Sequence, residues 1–361
     1  DKATEIDPTQ KVASTDGRSP AAILGSTVSD ELASHTAGRA KIFGVSIKDR
    51  GAVSMAGHAG KAFWFSKTFG GFVTSSYYYD RYPAWVNEWN QQKPAGAYSG
   101  KSWELLHEKS SYLFGDADDK PWETDLAGYG RIFPHPYGSD KGKYFTTLLT
   151  LSPAGDDLTL AFAKTLIDAE QLGQDEVTDY LSVSFSSTDY VGHLFGPSSL
   201  EMEDNLLRLD RTLADLFAFV DHRVGLKNTL IVVTADHDHT MTFNGYAHKG
   251  NPILGKVTDI VKTTVQGKPV LATAADNKPY TTLVFGNGGG PRKAVRDDLT
   301  SVDTTADDYL QEVGVNLGSA GSETHGGGDV MLFSTGPGNA GFKGTMVNTK
   351  VFGLVKSALG L

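Results

Sequence analysis

The run Lys41-Ile42-Phe43-Gly44-Val45-Ser46-Ile47 is short, apolar and rich in β-branched residues, and the polar Lys48-Asp49-Arg50 follows it. That pattern predicts a buried strand. From about Phe63 to Leu149 the chain is rich in Tyr, Trp, Gly and Pro with weak periodicity. It predicts a loop-heavy insertion with short strands such as Phe72-Val73-Thr74. Asp156 to Leu172 reads as a helix and Tyr180 to Phe185 as the next strand. Ser198 with Glu201 forms a capping-box pattern. The helix it opens carries Leu206, Leu209, Leu213, Leu216 and Val220, a three-four spacing that lines one face. Thr229 to Val233 predicts a further strand. Gly, Asn, Asp and Pro clusters break the rhythm between Met241 and Ser322, and that stretch reads as a second insertion. Asp329 to Thr335 predicts a late strand, and Thr349 to Leu361 a closing helix.

Helix and strand alternate through the middle of the chain, which predicts an α/β fold with a mostly parallel central sheet flanked by helices. The two loop-rich insertions, at about 63–149 and 241–322, sit within one domain spanning residues 1–361. In open sheets of this kind ligands bind beyond the carboxyl ends of the strands. Asp189, Asp236 and the Lys48–Arg50 pair all lie just past a predicted strand, so they are expected on one rim.

The chain has 361 residues, 33 basic against 43 acidic, and a formal net charge of −10. Its apolar share allows a sizeable core. The acidic balance argues against nucleic acid and anionic membrane as partners, since both select basic faces. There is no cysteine, which excludes disulfides, thiolate metal sites and thiol nucleophiles. No apolar stretch is long enough to span a bilayer. Asp1 to Asp16 is polar and irregular, without a signal-peptide pattern.

Five side chains carry the candidate chemistry. Asp189 and His193 are four apart, so on a turn of helix they face the same way. Asp236 and His237 are adjacent and follow a buried strand, whose end lets the backbone turn and frees both. His325 stands between acidic and glycine-rich sequence. Taken singly, each has an ordinary reading as a helix cap, a strand-end cap or a loop histidine. Together they form a ligand set for two zinc-type ions, because carboxylate oxygen and imidazole nitrogen both suit zinc. His239 is a candidate hydrogen-bond partner for a ligating carboxylate. Lys48 and Arg50 can share a face and hold the oxygens of a phosphate dianion. The alternative for that pair is a solvated charge cluster. Gly286-Asn287-Gly288-Gly289-Gly290 lacks a following Gly-Lys-Ser/Thr and reads as a turn. His35, His58, His107, His135, His222 and His248 show no ligand spacing.

At these residues the chain resembles the alkaline phosphatase superfamily, in two registers. To about residue 225 it is similar to the phosphate-irrepressible alkaline phosphatases, through Ser46-Ile47-Lys48-Asp49-Arg50, Phe133-Pro134-His135-Pro136 and Ser187-Thr188-Asp189-Tyr190-Val191-Gly192-His193. From about 226 it is closer to the broader alkaline phosphatases, through Thr234-Ala235-Asp236-His237, Thr242-Phe243-Asn244-Gly245-Tyr246, Pro279-Tyr280-Thr281-Thr282 and Ser322-Glu323-Thr324-His325-Gly326-Gly327. The resemblance implies two zinc ions. One falls on Asp189, His193 and His325. The other falls on Asp236 and His237, completed in the family by an upstream Asp and a nucleophilic hydroxyl. Nothing in Asp1 to Val45 matches that upstream segment, so a tight first zinc and a weaker second one are expected. Ser184 stands where a magnesium-type site needs an acid, so no such site is expected. The resemblance further implies hydrolysis of phosphate monoesters through a covalent phosphoryl-enzyme, with Lys48 and Arg50 touching the phosphate, in a periplasmic or secreted setting. The competing readings are a phosphodiesterase or sulfatase of the same superfamily, and a metal-binding fragment without catalysis.

Overall fold

A computed structural model describes residues 5–6, 17–126, 128–245, 253–287, 295–315 and 325–361. In chain order its elements open with β1 (Glu5–Ile6), α1 (Val28–His35), β2 (Ile42–Ser46), α2 (Asp49–Ala56), β3 (Lys61–Ser66), β4 (Gly71–Ser75) and α3 (Ala84–Gln91). There follow β5 (Ser102–Trp103), β6 (His135–Pro136), α4 (Phe145–Thr150), α5 (Pro153–Ala169), β7 (Tyr180–Ser184), α6 (Ser187–Phe195) and α7 (Leu200–Arg223). The last part holds β8 (Ile231–Thr234), β9 (Met241–Phe243), β10 (Thr258–Thr263), β11 (Pro269–Leu271), β12 (Leu283–Asn287), β13 (Val313–Val315), β14 (Leu332–Thr335) and α8 (Thr349–Ala358).

The main sheet has five strands in the order β1-β4-β3-β2-β7. β2 runs parallel to both β3 and β7, with Val45 opposite Phe63 on one side and Val183 on the other. β4 and β1 add antiparallel pairs at the far edge. The fold is therefore α/β with a parallel centre. β2 to β4 are almost wholly buried, and Phe72 and Phe162 stack 4.2 Å apart beneath Phe63 and Trp89. β8 pairs antiparallel with β14 in a separate two-stranded sheet. β7 and β8 are only half-buried despite their apolar sequence. Among the described residues no strand bridges them, and no helix is long and apolar enough to cross a membrane.

Several local expectations change. β3 and β4 lie within the stretch read as insertion yet belong to the main sheet, because Phe63, Phe65, Phe72 and Val73 supply its core. The cap of α7 is Ser199, whose Oγ accepts from the Met202 amide at 3.1 Å. Ser198 is instead engaged through its carbonyl, by Lys120 Nζ. Glu201 turns inward to His135 rather than back to the helix start. The leucine stripe of α7 holds from Leu209 to Val220, with Leu216 and Val220 against the core, and departs only at its first member. Leu206 is 49% exposed, while Met202, Asp204 and Asn205 face inward, Asp204 meeting the 102–136 segment and Asn205 meeting α6. Gly286 and Asn287 end β12 rather than forming a turn, and Gly288, Gly289 and Gly290 lie outside the described residues. So do Tyr246, His248, Ser322, Glu323 and Thr324.

Candidate metal centre

Ser46, at the end of β2, and Ser184, at the end of β7, both hydrogen-bond Ser186 through their hydroxyls, at 2.9 and 2.8 Å. This serine relay ties two parallel strand ends together and sets where α6 starts. The Ser187 amide at that start donates to Asp156 Oδ1 of α5 at 3.2 Å. Asn205 of α7 donates to Thr188 Oγ1 at 2.9 Å. α6 is thus held from three sides. It places Asp189 in its first turn, where the helix dipole favours a carboxylate, and His193 in its last turn, where it favours a cation. Gly196 ends the helix with φ +85°, a conformation glycine adopts without strain.

The 234–240 loop and the 325–328 loop come together through backbone. The Gly326 amide donates to the Asp238 carbonyl at 2.8 Å, and the Gly328 amide to Asp238 Oδ1 at 3.2 Å. A Cβ at 326 would lie 2.0 Å from Asp238 Oδ1, so the approach requires glycine. The result stacks the His237 and His325 rings, centroids 3.7 Å apart. Asp238 was not singled out from sequence. Its signal is the glycine run after His325, which needs a close neighbour.

Four imidazoles converge on one oxygen. Asp189 Oδ1 stands 3.2 Å from His325 Nε2, 3.4 Å from His193 Nε2, 3.5 Å from His237 Nε2 and 3.7 Å from His239 Nε2. That oxygen is buried and has no hydrogen-bond partner. His193 Nε2 and His325 Nε2 face each other at 3.1 Å. Two imidazole lone-pair positions aimed at each other, beside an orphaned carboxylate oxygen, fit a shared cation between them. The ligand atoms of Asp189, His193 and His325 all lie within 4.8 Å of one another. Lys48 Nζ takes the other oxygen, Asp189 Oδ2. Burial alone would raise the Asp189 carboxyl. The His193 imidazole beside it and the Lys48 ammonium outweigh that and hold it well below the usual carboxylate range. Burial pushes His239 down to about 4, and it also lowers His325, with help from His237. His325 and His239 are therefore neutral near pH 7 and ready to donate a lone pair.

Each predicted residue can now be placed. Asp189, His193, His237 and His325 meet, with His239 beside them and Lys48 on the far oxygen. Asp236 reaches His237, Oδ2 to Nε2 at 3.6 Å, but its side chain is 89% exposed. Arg50 is exposed in the first turn of α2, and its charge pulls down the Tyr190 hydroxyl, which burial pushes up more strongly. Lys67 and Tyr190 went unassigned in the sequence. Lys48 Nζ lies 4.3 Å and Lys67 Nζ 4.7 Å from the Tyr190 ring centre.

Residues 26–314 match the model of the type I phosphodiesterase / nucleotide pyrophosphatase family. The chain is similar to alkaline phosphatase PhoV of Synechococcus elongatus, 43% identical over 224 residues, covering 62% of this chain and 40% of that protein. It is also similar to alkaline phosphatase PafA of Elizabethkingia meningoseptica, at 41% over 237 residues, covering 64% and 43%. The crystal structure of wild-type PafA superposes with a TM-score of 0.56 at 37% identity, over 65% of this chain and 45% of that one. The chain thus spans less than half the length of these relatives.

Proposed function

This chain belongs to the type I phosphodiesterase / nucleotide pyrophosphatase family of the alkaline phosphatase superfamily, and from that premise we propose that it serves zinc-dependent hydrolysis of phosphate monoesters. The observation that carries the reading is the Asp189 oxygen ringed by four imidazole nitrogens with an ammonium on its partner oxygen. Asp189, His193 and His325 would hold one zinc, and Asp236 with His237 a second. Zinc supplies Lewis-acid charge to a phosphoryl group there. Lys48, which holds the other oxygen of Asp189, would offer its ammonium to a phosphate oxygen, and Arg50 would add a guanidinium from the same helix start. The buried serine relay and Asp156 hold α6, and with it Asp189 and His193, in place. The exposed Asp236 explains why the second zinc should be the weaker one.

A phosphodiesterase reading has its own support in the family model. Three measurements separate the possibilities. In a zinc titration of the purified chain, one tight site and one weaker site are expected. Inorganic phosphate should then raise the melting temperature of the zinc-loaded chain, and any turnover should favour an aryl monophosphate over a bis-aryl phosphate. Faster turnover of the diester would replace the monoesterase reading. Zinc stabilising the fold while phosphate adds nothing would leave a metal-binding domain without this chemistry.

A further inference from the structure

The carbonyl oxygen of Asp238 accepts two bonds, one from each loop that carries a candidate ligand. His237 Nδ1 reaches it at 3.1 Å and the Gly326 amide at 2.8 Å. A carbonyl can only accept, so Nδ1 carries the proton, and in the neutral ring Nε2 keeps the lone pair. That Nε2 is the nitrogen 3.5 Å from Asp189 Oδ1. Gly326 follows His325 directly. One peptide oxygen therefore fixes the ring of His237 and the backbone beside His325.

The Asp238 side chain closes the same joint. Its Oδ1 accepts from the Gly328 amide at 3.2 Å. Its Oδ2 is buried without a hydrogen-bond partner, and a Cβ at Gly328 would lie 2.3 Å from it. A buried carboxylate oxygen without a donor costs stability. The fold carries that cost at the contact between two ligand-bearing loops. On the other side, a Cβ at Gly192 would lie 2.8 Å from the His239 ring. The loop thus also rests on α6, which bears Asp189 and His193.

We propose that Asp238 is a positioning residue of the metal centre, which aims His237 Nε2 and the His325 loop at the Asp189 oxygen and so sets zinc affinity without supplying a ligand. The inference rests on the metal reading of that site.

Competition titration with a zinc chelator tests it, with the metal-free chains followed by NMR. Asp238→Ala releases the Gly328 amide and should weaken the tight zinc at least about tenfold, the scale of lost support behind a ligating imidazole. Asp238→Asn keeps an Oδ1 acceptor and should stay within about threefold of the parent. Gly326→Ala leaves the carboxylate in place but sets a Cβ 2.0 Å from Asp238 Oδ1, and should weaken zinc as Asp238→Ala does. Asp238 lies outside the main core, so the metal-free variants should melt with the parent. In the metal-free parent the neutral His237 ring should carry its proton on Nδ1, and the Gly328 amide should exchange slowly. Tight zinc unchanged within about twofold in Asp238→Ala and Gly326→Ala overturns the positioning role and spares the metal-centre reading. Equal losses in Asp238→Ala and Asp238→Asn, or a zinc shell one oxygen poorer in Asp238→Ala, overturn it too, by making the carboxylate's charge or a direct bond the cause. A parent that keeps the Nδ1 proton and the Gly328 protection yet binds no zinc overturns the metal-centre reading, with the aim of the two loops retained.

Discussion

Asp156 is fully buried at the start of α5, and burial pushes its carboxyl up to about 7. Its hydrogen bond from the Ser187 amide pulls the other way without cancelling that effect. In the unfolded chain the group ionises near 3.8. Between those values the folded state holds a proton that the unfolded state has released. Stability contributed at this position therefore falls as pH rises from about 4 to about 7, then levels off. Asp156→Asn keeps an acceptor for Ser187 and removes the titration. Urea midpoints across that range should decline less steeply in the variant, and an unchanged slope would refute the account. Nothing local in the sequence marks Asp156 as more than a residue near a helix start, because its partner lies thirty-one positions away. The candidate ligands were legible for the opposite reason. Asp189 and His193 carry their geometry in an i, i+4 spacing, and Asp236-His237 sits at a strand end where ligands collect. Lys67 carried no such signal, since its neighbour in space follows a different strand.

The first turns of α7 show why an element's period can be right and its face wrong. Leucines at three-four spacing announce a helix, and a helix forms, but its N-terminal half buries acids. Asp204 is fully buried and accepts from Trp103 Nε1, Tyr112 hydroxyl and Arg208 Nε, each at 2.6 Å, and from the Leu106 amide at 2.7 Å. Beside it His135 and Glu201, both wholly buried, share a bond of 3.1 Å. Burial raises the Glu201 carboxyl and lowers His135, so the pair is neutral near pH 7. These contacts clamp the 102–136 segment onto α7, and α7 in turn holds α6 through Asn205. Asp204→Ala would strand a buried indole N–H and a phenol. Removing the clamp should cost about 3 kcal/mol by chemical unfolding. A loss under about 0.5 kcal/mol, the range of ordinary surface changes, would mean the clamp is not structural. Composition alone could not reveal it, because the donors are scattered through a segment without periodicity.

On the scale of the whole molecule the parallel centre was readable from the alternation of helices and strands, and the rim that gathers the site followed from it. The boundaries of the first insertion were not readable. β3 and β4 are apolar but short, and their aromatic neighbours blur the pattern. The tightly packed core lies under β2 to β4, while β8 and β14 form a half-exposed pair, with Phe333 60% exposed. The candidate metal centre joins these parts. Asp189 and His193 belong to the helix after the main sheet, and His237 and His325 belong to loops flanking the small one. The account therefore stands on a shared ion held by side chains from both. X-ray absorption of the chain loaded with one equivalent of zinc tests it most directly. It predicts at least two imidazole nitrogens and a carboxylate oxygen at about 2.0–2.1 Å, with the imidazole signal reduced in His325→Ala. An all-oxygen shell, or one that His325→Ala leaves unaltered, would contradict it.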